Sequence, residues 1–259
     1  MTSSTFWSAG RYDAVGDRIA PIAREVVDAA DARRPLRDAA VVDLACGTGS
    51  AALDAAARGA RVTGVDITPE LIAIAAERDG AAAVRWRTGD ASDTGLPATS
   101  FDAAVSNMGI IFVEPARQVA EVARLLKPGG VFAFSSWVRS VSNPLFDPVL
   151  AVLGPPATST FSPDQWGDEA VLTERLGSQF DGVDVRRGDH RWEFESMTAA
   201  MRFLTSESPM HVETFRRADS SQRARLAAEF EDALRPHLEP SGSVAFLSPY
   251  VVVTATLRG

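Results

Sequence analysis

A single cysteine, Cys46, stands in a chain of 259 residues, so no internal disulfide can form. Histidine is nearly as scarce: His190, His211 and His237 are the only three, and no cluster of His, Cys and carboxylates suggests a metal ligand set, so no metal is expected. No uninterrupted apolar run reaches the roughly eighteen residues of a membrane span, and no membrane-spanning segment is expected. The opening Met1-Thr2-Ser3-Ser4-Thr5 lacks the basic and apolar regions of a secretory signal, which with the lone cysteine sets the expectation of a cytoplasmic protein. Internal repeats and low-complexity tracts are absent. Basic residues are outnumbered, 26 Lys and Arg against 34 Asp and Glu, for a net charge of -8. A pI near 5.0 argues against a phosphate-binding nucleic-acid surface and favours a neutral or locally steered small partner.

What is present fits one globular domain, or one domain with a lid: apolar residues make up 46% of the chain and charged residues 23%. Ile19, Ile22, Ala23, Val26, Val27 and Ala30 fall at helical spacing, predicting an amphipathic helix over about 17–32, ended by Arg33-Arg34-Pro35. Strands and helices then alternate: strand 41–46, helix 49–58, strand 61–65, helix 69–79, strands 84–88 and 103–107, helix 115–126, strand 130–137. Such alternation predicts a parallel sheet with right-handed crossovers. Thr68-Pro69-Glu70 reads as a helix start with Thr68 as N-cap, and Pro128-Gly129-Gly130 as a helix stop. Beyond Trp137, Pro144, Pro148, Pro155, Pro156 and Pro163 break the chain before a helix at about 168–177. Val183 to Phe194 and Ser243 to Leu257 read as strands, with helical segments over 197–238 between them.

The most informative stretch is Val41-Val42-Asp43-Leu44-Ala45-Cys46-Gly47-Thr48-Gly49, a buried strand entering a glycine turn. Gly47 and Gly49 let the backbone pass close to a ligand, and Ser50-Ala51-Ala52-Leu53 begins a helix whose free N–H groups face it. Asp66 closes the second strand, where an acid can accept both hydroxyls of a ribose. An adenosine derivative is the implied ligand. Asp43 sits in an otherwise apolar strand, where an unpartnered carboxylate would cost several kcal/mol; it requires partners.

Gly47-Thr48-Gly49-Ser50-Ala51-Ala52 also satisfies the relaxed G-x-G-x-x-A fingerprint of dinucleotide binding. The order around it separates the readings: Asp43 in the first strand, Gly89-Asp90 after the third, then Leu96-Pro97, Phe101-Asp102, and Leu125-Leu126-Lys127-Pro128-Gly129-Gly130. Over roughly residues 38–137 this series resembles the class I S-adenosylmethionine-dependent methyltransferases, in particular the small-molecule branch of the ubiquinone and menaquinone C-methyltransferases and many natural-product enzymes.

The resemblance implies an α/β, Rossmann-like, doubly wound and mostly parallel seven-stranded sheet. Its last strand, the Val251 segment, would be antiparallel beside the fifth. A single domain over 1–259 would comprise an N-terminal helical arm at 1–35, a cofactor-binding core at 38–137 and a helical lid at 197–238 inserted before the last strand. The cofactor would be S-adenosyl-L-methionine. Asp43 and Ala45 would order the glycine turn and the methionine end, with Gly47 and Gly49 against the ligand and Asp66 on the ribose. Ile67 would pack on the adenine, and Asp90 with Ala91 would contact its edge. Asn107 and Met108, at the carboxyl end of the fourth strand, would border the transferred methyl. Tyr12 resembles a tyrosine that closes over the cofactor, with Trp7 beside it. Where base- and glutamine-methylating relatives carry N/D-P-P-Y/F, this chain has Asn107-Met108-Gly109-Ile110, which lowers the weight of amino-group methylation.

Phe112, Trp137, Met201, Met210 and Phe215 are the candidate lining of an apolar acceptor pocket, against the alternative that they are core. His211, after Ser208-Pro209-Met210, is the candidate general base, against the alternative of a packed histidine. The reading is methyl transfer to oxygen or carbon of an apolar small molecule such as a quinol, phenol or natural product, without nucleic acid as partner. Two alternatives stay open. One is a cofactor-binding scaffold or sensor without turnover. The other is a short-chain NAD(P) oxidoreductase, which needs Tyr-x-x-x-Lys; Tyr12 and Tyr250 are followed four residues on by Gly16 and Thr254.

Overall fold

The computed structural model describes residues 7–155 and 161–259; Pro156 and the N-terminal residues 1–6 read above lie outside the described residues. Seven strands form one sheet: β1 Ala40–Leu44, β2 Arg61–Asp66, β3 Val84–Thr88, β4 Phe101–Asn107, β5 Leu126–Trp137, β6 Phe180–Phe194 and β7 Val244–Leu257. Their spatial order is β3-β2-β1-β4-β5-β7-β6. The pairs among β1 to β5 are parallel, and β7 is antiparallel to both neighbours. Val41, Val42 and Leu44 are fully buried, as are Ala103, Ala104 and Val105 beside them, the continuous apolar filling that a sheet covered on both faces requires.

The expected helix over 17–32 is longer: α1 runs Tyr12–Arg33, because buried Gly16 and half-buried Tyr12 continue the inward stripe back from Ile19 by one and two turns. It lies over β4, β5 and β7. Helices α2 Ser50–Ala57, α3 Pro69–Glu77 and α4 Pro115–Leu125 are the crossovers. Thr68 is the N-cap of α3 by position, but its hydroxyl does not cap the helix. Pro128-Gly129-Gly130 does not stop α4, which ends at Leu125; the three residues form an irregularity inside β5, whose register shifts between Phe101 and Ala103 of β4. Lys127 in this stretch donates to Asp102, which also accepts the Ala40 N–H and the Arg34 guanidinium.

The proline-broken stretch contains a helix that its composition hid, α5 Asp147–Leu153, with Pro148 in its first turn, where the missing N–H is not needed. Helix α6, Glu169–Leu176, follows. Between β6 and β7 come α7 Met197–Arg202, a π-helical turn Phe203–Glu207, α8 Pro209–Arg217 and α9 Ser220–Leu234. The last two strands pair from Phe180↔Leu257 to Phe194↔Val244, whereas β5 meets β7 only as far as Trp137↔Tyr250. A two-stranded ribbon therefore extends past the carboxyl end of β5. Trp192, Phe194, Val244 and Phe246 are buried on one face of it, while Leu247 on the other is exposed. No helix among the described residues is long and apolar enough to cross a membrane.

Glu121 on α4 fastens the loop after β3. Its carboxylate accepts from the Thr94 N–H and hydroxyl at 2.9 and 2.6 Å and from Arg124 at 2.7 Å. Burial pulls its pKa upward, but the Arg124 and Thr94 hydrogen bonds outweigh this and bring it from 4.5 down to about 2. The folded value lies below the unfolded one, so this stabilisation is complete above pH 4.5 and is lost as pH falls toward 2. Glu121→Gln is expected to cost about 1–3 kcal/mol at neutral pH and markedly less near pH 2. Urea melts at the two pH values check it; an equal deficit at both would overturn the assignment.

Candidate functional site

The strand order reverses at β1, which has β2 on one side and β4 on the other, and ligands of open α/β sheets bind where the carboxyl ends of such strands part. The backbone is most constrained at that place. Ala45 after β1 and Met108 after β4 hold φ of +51° and +56°, a left-handed conformation uncommon in residues with a side chain. Gly47 and Gly49 continue the turn at +54° and +84°, where glycine is the natural occupant.

Two carboxylates hold this turn. Asp66 accepts the Gly47 N–H at 2.8 Å and the Thr68 N–H at 2.9 Å, bridging the turn to the start of α3. Burial raises its pKa against the opposing pull of those N–H groups. Asp43, 1% exposed, accepts the Ala52 N–H in the first turn of α2 at 2.9 Å through Oδ2. Its Oδ1 is buried with no partner. Burial pushes the Asp43 carboxyl up to about 8, with the Ala52 N–H opposing and the charge of Asp66 adding. From the outer side Arg78 donates to the Thr48 carbonyl at 3.0 Å and the Ser50 hydroxyl at 3.1 Å.

A cavity of about 20 Å³, the size of one water, lies against the turn and is lined by Tyr12, Ile19, Asp43, Thr48, Ser50 and Asn107 among others. The Tyr12 ring covers Gly47 so closely that a Cβ there would come within 2.8 Å of it. Burial, then the charge of Asp66, raises the Tyr12 phenol above its ordinary value. Trp7 packs edge-on against both Tyr12 and Phe112, with centroids 6.2 and 4.7 Å away. Asn107 donates from Nδ2 to the Ile19 carbonyl at 3.2 Å and accepts from the Ser135 hydroxyl at 2.7 Å, and that hydroxyl accepts the Met108 N–H. The carboxyl ends of β4 and β5 are thereby tied to α1.

Ile67, beside Asp66, is 37% exposed, an apolar side chain left facing outward at the rim. Asp90 forms a turn of its own, Oδ1 accepting the N–H and hydroxyl of Ser92. Ala91 is buried, and its carbonyl accepts from Gln118.

The candidate acceptor-pocket residues divide. Phe112 joins the Tyr12 group, whereas Trp137 contacts His190 and Trp192 on the ribbon. Met201 and Met210 are half-buried on α7 and α8. Phe215 packs inside the helical insertion, 5.9 Å from Phe230. His211 is likewise internal: its ring lies 5.6 Å from Phe230, and it is 3% exposed. The Leu145 carbonyl can only accept, so Nε2 carries the proton toward it and Nδ1 accepts from the Ser208 hydroxyl, each at 2.7 Å. Burial drops the imidazole to about 4, against the Leu145 bond. With both nitrogens committed, His211 joins the insertion to the 138–155 segment and is removed from the list of candidate bases.

Sequence reasoning missed Trp86. A Cβ at Gly49 would meet its ring at 2.4 Å and one at Gly64 at 2.7 Å. These glycines answer to an indole packed behind the turn, and not only to a ligand in front of it. The signal was legible in Arg85-Trp86-Arg87, where alternation on a strand separates the indole from its charged neighbours.

Comparison with known proteins agrees with this geometry. Residues 42–134 match the methyltransferase domain family. An uncharacterized protein of Mycobacterium tuberculosis (strain ATCC 25618 / H37Rv) is 30% identical over 243 residues, 90% of this chain and 85% of the relative. The aklanonic acid methyltransferase DauC of Streptomyces sp. (strain C5) is 33% identical over 181 residues, 66% of this chain and 81% of the relative. Among solved structures, phosphoethanolamine N-methyltransferase 2 of Haemonchus contortus, in complex with phosphomonomethylethanolamine and S-adenosylhomocysteine, superposes with a TM-score of 0.56 at 17% identity. That match covers 91% of this chain and 52% of the other, so the chain spans about half of that enzyme's length, and it shows the fold alone. The sheet order, the acid-held glycine turn and these likenesses define a methyl-transferring enzyme. The chain belongs to the class I S-adenosylmethionine-dependent methyltransferases, and S-adenosylmethionine is its cofactor.

The role of Trp86 is testable. Gly64→Ala would place a methyl 2.7 Å from the indole and 3.2 Å from the Cys46 sulfur, and is expected to cost about 1–3 kcal/mol. Adding Trp86→Leu should restore part of the loss in urea melts. A double variant no more stable than Gly64→Ala alone would show that the indole is not the obstacle.

Proposed function

We propose that this enzyme methylates oxygen or carbon of an apolar small molecule, a phenol, quinol or natural-product acceptor. The name of the Streptomyces relative supports a natural-product substrate. The observation that carries the placement of the cofactor is the orphaned Oδ1 of Asp43, a buried acceptor lining the small cavity beside the glycine turn. A ligand with an ammonium or hydroxyl donor at that point would satisfy it. In this reading Asp43 and Ala45 hold the methionine end, and Gly47 and Gly49 lie against it. Asp66 takes the ribose hydroxyls with the remaining lone pairs of its two oxygens. Ile67 gives the adenine an apolar face, and Asp90 Oδ2 with Ala91 borders its edge. Asn107 and Met108 border the reacting centre. A one-water cavity does not admit a nucleoside, so the Tyr12 ring must swing from Gly47 for entry and then closes over the ligand, with Trp7 and Phe112 as its hinge packing. The segment 197–238 acts as a lid over the acceptor.

When bound, the cofactor supplies an electrophilic methyl on a sulfonium. The residues described align the acceptor with it and exclude water. With His211 committed to packing, acceptors that arrive already ionised, such as acidic phenols and enolates, are favoured over alcohols, which need a base.

Calorimetric titration with S-adenosylmethionine, S-adenosylhomocysteine and NAD⁺ tests the site. Binding of the two adenosyl ligands and not NAD⁺ is expected, and Asp66→Ala should weaken them roughly tenfold or more. Unchanged affinity in a folded variant would remove Asp66 from the ribose. The raised Asp43 carboxyl adds a sign: near neutral pH it is protonated in the free enzyme, and a cationic ligand favours its ionised form. Affinity should rise with pH up to about 8 and then level, with proton release below that point. Titrations in buffers of different ionisation enthalpy measure this release, and Asp43→Asn should abolish it. A pH-independent affinity with no release would contradict a cation beside Asp43.

A further inference from the structure

Of the residues that α4 buries, only Gln118 and Glu121 are polar. Three positions apart, they share a face of the helix and reach the same loop. Glu121 takes the Thr94 N–H and hydroxyl and both of its oxygens have partners. Gln118, 0% exposed, donates from Nε2 to the Ala91 carbonyl at 3.2 Å, while its Oε1 is buried with no partner. A methionine there would fill a similar volume without an idle oxygen. What the amide supplies in exchange for that oxygen is the donor that meets the buried Ala91 carbonyl.

The Ala91 carbonyl and the Ser92 N–H belong to one planar peptide. Gln118 holds the carbonyl end of that plane. The N–H end donates to Asp90 Oδ1 at 2.8 Å, where the Ser92 hydroxyl also donates at 2.8 Å. The Asp93 N–H closes the same turn on the Asp90 carbonyl at 3.0 Å. The rotation of the plane therefore has to serve both ends, and it fixes how the Asp90 carboxylate is turned. Both Ser92 bonds fall on Oδ1, which leaves Oδ2 of this half-buried side chain to a ligand. Resting on the reading that Asp90 borders the adenine, we propose that Gln118 is a positioning residue for adenine recognition, holding the Ala91–Ser92 peptide so that Asp90 Oδ2 accepts the exocyclic amine of the cofactor. Gln118 is enclosed and acts only through that peptide. Without its N–H the buried Ala91 carbonyl would turn toward another donor, and the Asp90 carboxylate would turn with it.

The test is calorimetric titration of the full-length protein with S-adenosylhomocysteine and with S-inosylhomocysteine, which carries a carbonyl in place of the exocyclic amine. Wild type is expected to prefer the adenosyl ligand about tenfold or more, because a carbonyl set against a carboxylate leaves both without a donor. Gln118→Met, of similar volume, should cut that preference at least about threefold by weakening the adenosyl ligand alone. Gln118→Glu, whose enclosed carboxyl is held protonated and donates to the same carbonyl, should keep it. A merely structural tie between α4 and the loop would weaken both ligands by one factor in Gln118→Met and leave their ratio as in wild type. That outcome overturns the proposal, as does an equal loss of preference in Gln118→Glu and Gln118→Met. Should Gln118→Met fail to fold by circular dichroism, Gln118→Glu decides: a retained preference supports the donor role and a lost one overturns it. If wild type does not bind S-adenosylhomocysteine, or binds it no better than the inosyl ligand, the reading of the cofactor site or of Asp90 fails and this inference with it. If wild type discriminates and Gln118→Met does so equally well, only this inference fails.

Discussion

Asp66 accepts the Gly47 N–H from one strand over, and this bond, with the Asp43 bond to Ala52, is what gives the glycine turn a fixed shape. A loop with three left-handed residues in five would be expensive to order by itself. The carboxylates substitute for the missing ladder and fix the start of α2, so that its free N–H groups point at one place. The arrangement is costly in charge. Burial raises both carboxyls, and Asp43 retains an unsatisfied oxygen. In the reading proposed above, a donor-bearing cation arriving at that unmet acceptor would link the stability of the turn to occupation by the cofactor.

Helix α1 joins that turn to the rest of the molecule. One face carries Tyr12 and Ile19 against the glycine turn, and Asn107 fastens it through the Ile19 carbonyl. The other face carries Arg18 against the ribbon and Glu25, which accepts from the Tyr250 hydroxyl at 2.8 Å. The glycine turn and the ribbon thus pack on one helix.

The polar groups of the molecule fall into two kinds. Asp102 and Glu121 are saturated by Arg34, Lys127 and Arg124 and by backbone N–H groups, and these hold loops to the sheet. Asp43 Oδ1, Arg18 Nε and His190 Nε2 are buried without a partner, as are Thr68 Oγ1, Gln118 Oε1, Trp166 Nε1 and one guanidinium nitrogen of Arg175. His211 belongs with the first kind despite its place in the insertion, because two well-formed hydrogen bonds leave it no free lone pair or proton.

Much of the core was legible from the chain alone because its signals are local. The strand into Gly47 and Gly49, the acid at Asp66 seventeen residues on, and the alternation through Trp137 each follow from residue type and period. They determined the sheet, the switch point and the cofactor class. Where the chain was misread, the deciding contact was distant in sequence. Pro148 looked like a breaker and opens a helix; Pro128-Gly129-Gly130 looked like a stop and is a strand irregularity set by pairing with Phe101. Gly49 and Gly64 are glycine because Trp86 reaches them, His211 is spent because Leu145 reaches it, and Arg18 is enclosed by rings from residues 194 and 203. Periodicity and turn chemistry act over a few residues and were sufficient for the fold. Which polar atoms were left without partners depends on packing across the whole chain, and only the tertiary structure decided that.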